Sequence, residues 1–467
     1  MNCDAASPTP YKSLRTPMPQ KSSQSIFIHS SMVLPKSLRL WGIGGVGMSA
    51  LAQHLLKGGH HITGYDREAS PFTEILQKQG VRIDYTPHPE AAAAVEGIIY
   101  TPAIPEDFPE WETVKAHHLP VWRRAEALSI VLEPYQVLAV AGAHGKTTTT
   151  AILTWLLYRM GESPTAFVGG LMKNFDNNYL AGTGDLAVVE ADEYDRAMLR
   201  LYPAHAIIQS TEPDHLEIYG SAEALLDAYR QFARQVRGEL VLGREVPDLG
   251  RPALRYEMKH YQAIGDTVYF AYQWKGGYRQ AYWRQIGRHF AENAAAALTL
   301  LEALGYGFDT LQAALAEYAG VARRLEIYPA GRHIVVSDYA HHPTEIRRTL
   351  EALREAYPKH KIITVFQPHL HSRTAFFAQD FAEALNKSDY VVLFPIYAAR
   401  EPSTSSISHK LISQHLTVPF EEAVPLEVDM EWVFNMPYEQ PSVVAFLGAG
   451  DIYLRAIPTQ KALAGLP

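Results

Sequence analysis

Gln136-Val-Leu-Ala-Val-Ala-Gly142-Ala-His-Gly-Lys-Thr147, followed by Thr148, Thr149 and Thr150, decides the fold. The apolar run from Val137 to Ala141 predicts a buried strand. It breaks at Gly142, and Gly145-Lys146-Thr147 opens a segment with helical periodicity through Met160. Strand, glycine turn and helix N-terminus together suit a triphosphate: backbone N–H groups wrap phosphate oxygens, the helix dipole favours negative charge, and a lysine reaches the outer phosphates. The Thr147 hydroxyl is placed to ligate Mg²⁺. In a GxxxxGK[ST] loop the first glycine would fall at Val140, and here the turn glycine is Gly142 instead. The expectation is an ATP site built from Gly142, Ala143, His144, Gly145, Lys146, Thr147 and Thr148.

Outward from that loop, composition sets the bounds. A chain of 467 residues with net charge −8 and a pI near 6.2 predicts about three soluble domains, no nucleic-acid partner and no membrane insertion. The single cysteine, Cys3, offers neither a disulfide framework nor a thiolate metal site, which suits a cytoplasmic protein. Residues 1–36 are Ser- and Pro-rich and basic. They read as a disordered or mis-called extension, with a transit peptide as the alternative.

Residues 37–134 alternate short apolar runs with helical stretches, which predicts a parallel sheet with crossover helices. Its first turn, Gly42-Ile-Gly44-Gly45-Val46-Gly47, follows a strand and opens a helix, and Asp66 ends the second strand. This pattern predicts a cradle for a diphosphate-bearing nucleotide, with Asp66 on a ribose hydroxyl or, alternatively, acting as a helix cap or loop acid. In residues 135–325, strands ending at Glu190-Ala-Asp-Glu193 and Ser210-Thr-Glu-Pro-Asp214-His215 aim Glu190 and His215 at the phosphate loop. Asp192, Glu193, Asp195 and Arg196 are equally readable as a solvated, self-paired loop. The Tyr- and Trp-rich stretch from 240 to 288 predicts antiparallel strands added to the central sheet. Residues 326–467 predict a third α/β unit with polar clusters at three strand ends: Asp338-Tyr-Ala-His-His342, Gln367-Pro-His369-Leu-His-Ser-Arg373 and Tyr397-Ala-Ala-Arg400-Glu401.

The ordered set GIGGVGMSALA (42–52), VAGAHGKTTT (140–149), EADEYDRAML (190–199), DHLEIYG (214–220), GVARRLE (320–326), DYAHHPTE (338–345) and FQPHLHSRT (366–374) resembles the Mur ligases, ATP-dependent amide-forming enzymes of peptidoglycan synthesis. Within them it is most similar to the branch that adds L-alanine to UDP-N-acetylmuramate. The resemblance implies an α/β fold of three domains. A Rossmann-like UDP-substrate domain is followed by a central P-loop ATPase-type domain with added antiparallel strands, then by a C-terminal Rossmann-like domain. It implies ATP and Mg²⁺, with the metal on Thr147, Glu190 and His215. Gly42, Gly44, Gly45, Val46, Gly47, Asp66 and Thr101 would hold the UDP-sugar, and His289, Asn293, Arg324 and Asp338 would complete the nucleotide site. Tyr339, His369 and Arg373 would surround the amino acid, with Lys146, His341, His342 and Arg373 as the catalytic set and one of the two histidines as the base. The partners would be UDP-N-acetylmuramate and L-alanine, in a monomer or homodimer. The sequence departs from the family pattern at Phe290, Ser210, Leu370 and Tyr453, and it has no lysine between Lys173 and Lys259. Two alternatives share the scaffold: a ligase that recycles a whole tripeptide, and a non-catalytic nucleotide-binding regulator.

Overall fold

A computed structural model describes residues 33–213, 216–264, 267–399, 401, 406–423 and 440–465. His215, Arg400 and the extension up to residue 32 lie outside the described residues. The chain packs as two compact units: residues up to Met258 with Tyr272–Arg279 and Asn293–Ala319, and Lys259–Ala271 with Gln280–Glu292 and everything from Gly320.

The first unit holds two sheets. Strands β1 (Ser37–Trp41), β2 (His61–Tyr65), β3 (Arg82–Asp84), β4 (Gly97–Tyr100) and β5 (Val121–Arg123) form a parallel sheet in the order β3-β2-β1-β4-β5. Helix α1 (Val46–Lys57) leaves the glycine turn after β1, and α2 (Glu110–His117) follows β4. The second sheet contains β6 (Gln136–Ala141), β7 (Thr165–Met172), β8 (Asn177–Leu180), β9 (Leu186–Ala191), β10 (His205–Ile208), β11 (Leu240–Leu242) and β12 (Leu254–Arg255). Its order is β12-β11-β10-β6-β9-β7-β8. The pairs are parallel except β7–β8, an antiparallel hairpin. The continuous apolar run of β6 matches its central position, because a parallel strand covered on both faces has no side to show water. Helix α3 (Lys146–Arg159) starts at the glycine turn itself. Strands β7 and β8 escape sequence reading because Gly169-Gly170 and Asn177-Asn178 are residue types that strands avoid.

The Tyr- and Trp-rich stretch forms its own three-stranded sheet, β13 (Met258–Ile264), β14 (Thr267–Trp274) and β15 (Gly277–Trp283). Phe270, Tyr272 and Trp283 are buried while Tyr269, Tyr278 and Tyr282 are exposed, the two-residue alternation of a sheet with one wet face. Helix α4 (Arg288–Ala303) follows.

The six-stranded sheet of the second unit comprises β16 (Glu326–Ala330), β17 (His333–Asp338), β18 (Lys361–Phe366), β19 (Tyr390–Leu393), β20 (Phe420–Glu422) and β21 (Ser442–Leu447), in the order β16-β17-β21-β18-β19-β20. Only the edge pair β16–β17 is antiparallel. Helices α5 (Pro343–Ala356) and α6 (His371–Phe376) start at the carboxyl ends of β17 and β18. Parallel strands end along one edge, so the three polar clusters share that edge. Among the described residues no helix is long and apolar enough to cross a membrane.

The first sheet buries a charge. Arg39, fully buried on central β1, makes a forked contact with Glu110 of α2 (Nε to Oε2 and Nη2 to Oε1, both 2.8 Å) and reaches Asp84 at 2.9 Å. Trp41 Nε1 and the His88 amide also donate to Glu110, at 2.7 and 2.8 Å. Removing one partner strands a charge in a dry site, which costs far more than the pair itself contributes. Glu110→Ala is therefore expected to destabilise the chain by about 3–5 kcal/mol, read as a downward shift of the urea midpoint, whereas the exposed Glu112→Ala should shift it very little.

Candidate active site

The phosphate loop is shaped by contact as much as by conformation. Gly145 has φ +81°, and a Cβ there would lie 2.5 Å from Asn293 Oδ1 on α4, so only glycine fits. The first turn of α3, Lys146 to Thr148, carries amides with no intrahelical acceptor, the donors an anion needs. Ala143 and His144 are partly exposed beside them, and the His144 amide donates to Ser210 Oγ at 3.3 Å. Gln209 ties this region together, its amide nitrogen donating to Thr149 Oγ1 and, at 3.3 Å, to Asn293 Oδ1.

Lys146 is held among acids. Its Nζ lies 2.9 and 2.7 Å from the two oxygens of Glu193, 3.8 Å from Asp192, and donates to Gly142 O at 2.8 Å. Burial alone would lower its pKa, but Glu193, Asp192 and Glu190 outweigh it and hold the ammonium above its ordinary value. Glu193 is 1% exposed, so it is no solvated loop acid. The missed signal lay in the spacing: Glu193 follows the strand that pairs directly with β6.

Glu190 accepts from Thr147 Oγ1 at 3.2 Å and from the Gly169 amide at 2.5 Å. Burial pushes its carboxyl up, against the pull of the Gly169 amide and of Lys146. A hydroxyl and a carboxylate side by side are hard oxygen donors, and Mg²⁺ takes one or two such ligands while keeping its waters. The pair fits that ion. Among the described residues no cluster of three or more His, Cys, Asp and Glu forms a fuller metal cage.

In the glycine turn after β1, Gly44 and Gly45 spend their amides inside the loop, on Asp66 Oδ2 at 2.7 Å and Gly42 O at 3.1 Å. Asp66 thus locks the loop, its other oxygen accepting from the Arg67 amide at 2.8 Å. The amides left for a diphosphate are those of Val46, Gly47 and Met48 in the first turn of α1. The Thr101 methyl packs against the Cα of Gly42, and the Arg124 guanidinium against that of Gly47. A cavity of ≈ 360 Å³ nearby is lined by Arg123, Asp195, Arg196, Leu199, Arg200 and Ile218. Its cations are already engaged, Arg123 with Asp195 at 2.7 Å, Arg200 with Glu126 at 3.1 Å and Arg196 over the Tyr219 ring at 5.3 Å.

In the second unit, Asp338 works as a backbone pin. Its oxygens accept from the Ala340 and Leu325 amides at 2.8 and 2.9 Å. Burial pushes its carboxyl up to about 6, against Arg324 and those amides. The preceding loop needs the pin, because Arg323 and Leu325 sit at φ +60° and +47°, in the left-handed region. Arg323 donates to the carbonyls of Gly448 and Gly450, both at 2.9 Å, and Arg323 and Arg324 lie 4.8 and 5.0 Å from the centre of the Tyr339 ring.

The two adjacent histidines differ. His342 caps α5, its Nδ1 accepting from the Thr344 amide at 3.3 Å, so in the neutral ring the proton sits on Nε2. His341 has Nδ1 3.0 Å from Tyr339 O and 3.3 Å from Glu345, so Nδ1 carries the hydrogen and Nε2 keeps its lone pair. The His341 and His369 rings are 6.0 Å apart, and His369 stacks with Tyr397 at 5.8 Å. Arg373 on α6 makes no side-chain hydrogen bond or ion pair among the described residues. Leu370, at the substituted position, is buried with φ +72° and precedes α6. Glu401 caps that helix: burial opposes it, but the Ser372 hydroxyl and the amides of Ser372 and His371 hold its carboxyl below the ordinary range. On α4, His289 lies against Phe290 with ring centres 4.3 Å apart, and Asn293 follows one turn later.

Three family models match the chain in order: Mur ligase family, catalytic domain, at residues 38–136; Mur ligase middle domain at 140–301; and Mur ligase, glutamate ligase domain, at 323–450. A protein of Christiangramia forsetii named UDP-N-acetylmuramate–L-alanine ligase is 36% identical over 438 residues, 90% of this chain and 96% of its own length. The crystal structure of a UDP-N-acetylmuramate-alanine ligase from Thermotoga maritima matches with a TM-score of 0.78 at 29% identity, covering 91% of this chain and 98% of that one. A murein peptide ligase from Psychrobacter arcticus shares the fold with a TM-score of 0.68 at 20% identity, over 92% and 99% of the two chains.

Burial, joined by Arg373, brings the His341 pKa down to about 4 against the pull of Glu345. The unfolded imidazole titrates near 6.5, so between these values the unfolded chain binds the extra proton. Stability is complete above pH 6.5 and drains away as pH falls toward 4. His341→Gln removes this dependence. Urea midpoints at pH 7 and pH 4.5 should show the wild type losing about 2 kcal/mol more than the variant.

Proposed function

The chain belongs to the Mur ligase family, and on that premise we propose that it joins L-alanine to the carboxylate of UDP-N-acetylmuramate at the expense of ATP, in peptidoglycan precursor synthesis. It is an ATP-dependent ligase with the family's three-part architecture, for which we propose boundaries of 37–134, 135–325 and 326–467. The observation that carries the alanine reading is a guanidinium unpaired among the described residues, Arg373, beside a neutral imidazole, His341: one group for an amino-acid carboxylate, one for its amine. The T. maritima alanine ligase matches this chain at higher identity than the murein peptide ligase does, which supports alanine over the tripeptide.

In this mechanism Val46, Gly47 and Met48 turn their amides to the UDP diphosphate, and the first turn of α3 does the same for ATP. Lys146 leaves Glu193 for the outer phosphates. The muramoyl carboxylate oxygen attacks the γ-phosphorus, the bond to the β,γ-bridging oxygen breaks, and an acyl phosphate and ADP result. The protein contributes position and charge neutralisation to this transfer. Mg²⁺ held by Thr147 and Glu190, with His215 as the family's further ligand, would neutralise phosphate charge. Arg373 fixes the alanine carboxylate. The amine attacks the acyl carbon, and His341 Nε2 accepts the proton whose acidity rises as the C–N bond forms. The tetrahedral centre collapses with phosphate as the leaving group. His342, committed to its helix, orients rather than exchanges protons.

Phosphate release from purified protein with Mg·ATP and UDP-N-acetylmuramate should depend on L-alanine and yield the ligated product by mass. Release with the tripeptide alone would move the assignment to the recycling branch, and binding of ATP without turnover of either would make the chain a regulator. Arg373→Ala should raise the KM for L-alanine roughly tenfold to a hundredfold, the worth of a charge-assisted hydrogen bond, while leaving the KM for ATP near its wild-type value.

A further inference from the structure

The β7–β8 hairpin of the central domain touches both nucleotide-handling regions of the first unit. On β7, a Cβ at Gly169 would lie 2.5 Å from Glu190 Oε1 and 2.9 Å from Thr147 Oγ1, so the strand runs directly against the candidate metal ligands, and its amide donates to Glu190. On β8, Asn178 is fully buried and points the other way. Its Nδ2 donates to Val46 O at 2.6 Å and to Ser49 Oγ at 3.0 Å, both on the first turn of α1. Ser49 Oγ itself donates to Val46 O at 3.0 Å. Beside it, Asn177 exchanges hydrogen bonds with Gln53 at 2.9 and 3.1 Å, and Gln79 donates to Gln53 at 3.1 Å. Gln53 and Asn178 at the centre of this set are buried and partnered, and such networks fix one geometry.

We infer that Asn178 is a positioning residue for the UDP-substrate, setting the amides at the N-terminus of α1 in register with the Thr147–Glu190 pair through a single hairpin. Two features carry this. The Val46 carbonyl caught by Asn178 belongs to the same helical turn whose amides remain for a diphosphate. The opposite strand of the hairpin cannot shift without moving the Gly169 amide off Glu190. A sugar nucleotide whose carboxylate must reach the γ-phosphate needs its diphosphate held at a fixed distance from the metal ligands, and this hairpin ties the two together by hydrogen bonds from each of its strands.

The inference rests on the proposed ligase reading for its substrate, so its test uses binding as well as turnover. Asn178→Asp keeps the shape but sets an oxygen against Val46 O. It should weaken binding of UDP-N-acetylmuramate, measured by calorimetry without ATP, by about tenfold or more, with the KM for that substrate rising in parallel and the KM for ATP changing less than about twofold. Ser49→Ala removes one of the two contacts and should move the same quantity in the same direction by less, which decides the matter if the aspartate variant does not fold. Unchanged sugar-nucleotide affinity in both variants, or equal changes in the two KM values, overturns the role of Asn178. Failure of the wild type to bind UDP-N-acetylmuramate at all overturns the ligase reading instead.

Discussion

An ammonium group cannot be buried alone, and the centre of this molecule is arranged around that rule. Lys146 sits on the first turn of α3, where backbone amides already make the environment electropositive, and a second positive charge there raises the need for acids. Strand β9, paired in parallel register with β6, ends beside the loop and supplies Glu190, Asp192 and Glu193. Because β9 lies next to β6, the chain leaving it brings the Glu193 carboxylate to within 3 Å of the lysine. In the proposed reaction phosphates would replace Glu193 as the lysine's counter-charge, and the charged site exists before any ligand arrives.

The second unit solves a different problem with the same means. Its sheet ends carry Asp338, Gln367 and the Gly448–Gly450 turn, and each spends polar atoms on holding a neighbouring loop. Asp338 holds the left-handed loop from Arg323 to Leu325, and Gln367 Nε2 reaches Asp451 at 2.8 Å. Residues that look like chemistry by type are here the supports for a smaller working set. The proposed function rests on Arg373 and on the Nε2 of His341, beside these supports.

This division explains what could be read in advance. The central strands of the three mainly parallel sheets, the phosphate loop and the polar strand ends were legible, because apolar runs ending in glycine or charge are local patterns, whereas β7 and β8 were not. Partner identity was not. Glu193 was equally readable as a solvated acid, since sequence does not reveal that the loop after β9 folds inward. Asp66 follows the spacing of a ribose ligand but locks Gly44, and His342, adjacent to His341, proves to be a helix cap because Pro343 starts α5 one residue later. Asn178 carried no signal at all: an asparagine pair in a glycine-rich stretch reads as a turn, and only the docking of β8 on α1 gives it a buried amide's obligations. His215 lies outside the described residues.

The self-contained glycine turn after β1 has a thermodynamic meaning for ligand entry. With the Gly44 and Gly45 amides already bonded within the loop, its backbone entropy is surrendered during folding and not at the encounter with a nucleotide. A disordered glycine loop would have to freeze as it closed on phosphate, and each fixed residue would subtract from affinity. Here the receptor is rigid in advance. The donors it leaves open are few, but no part of their attraction is consumed in making the loop hold still.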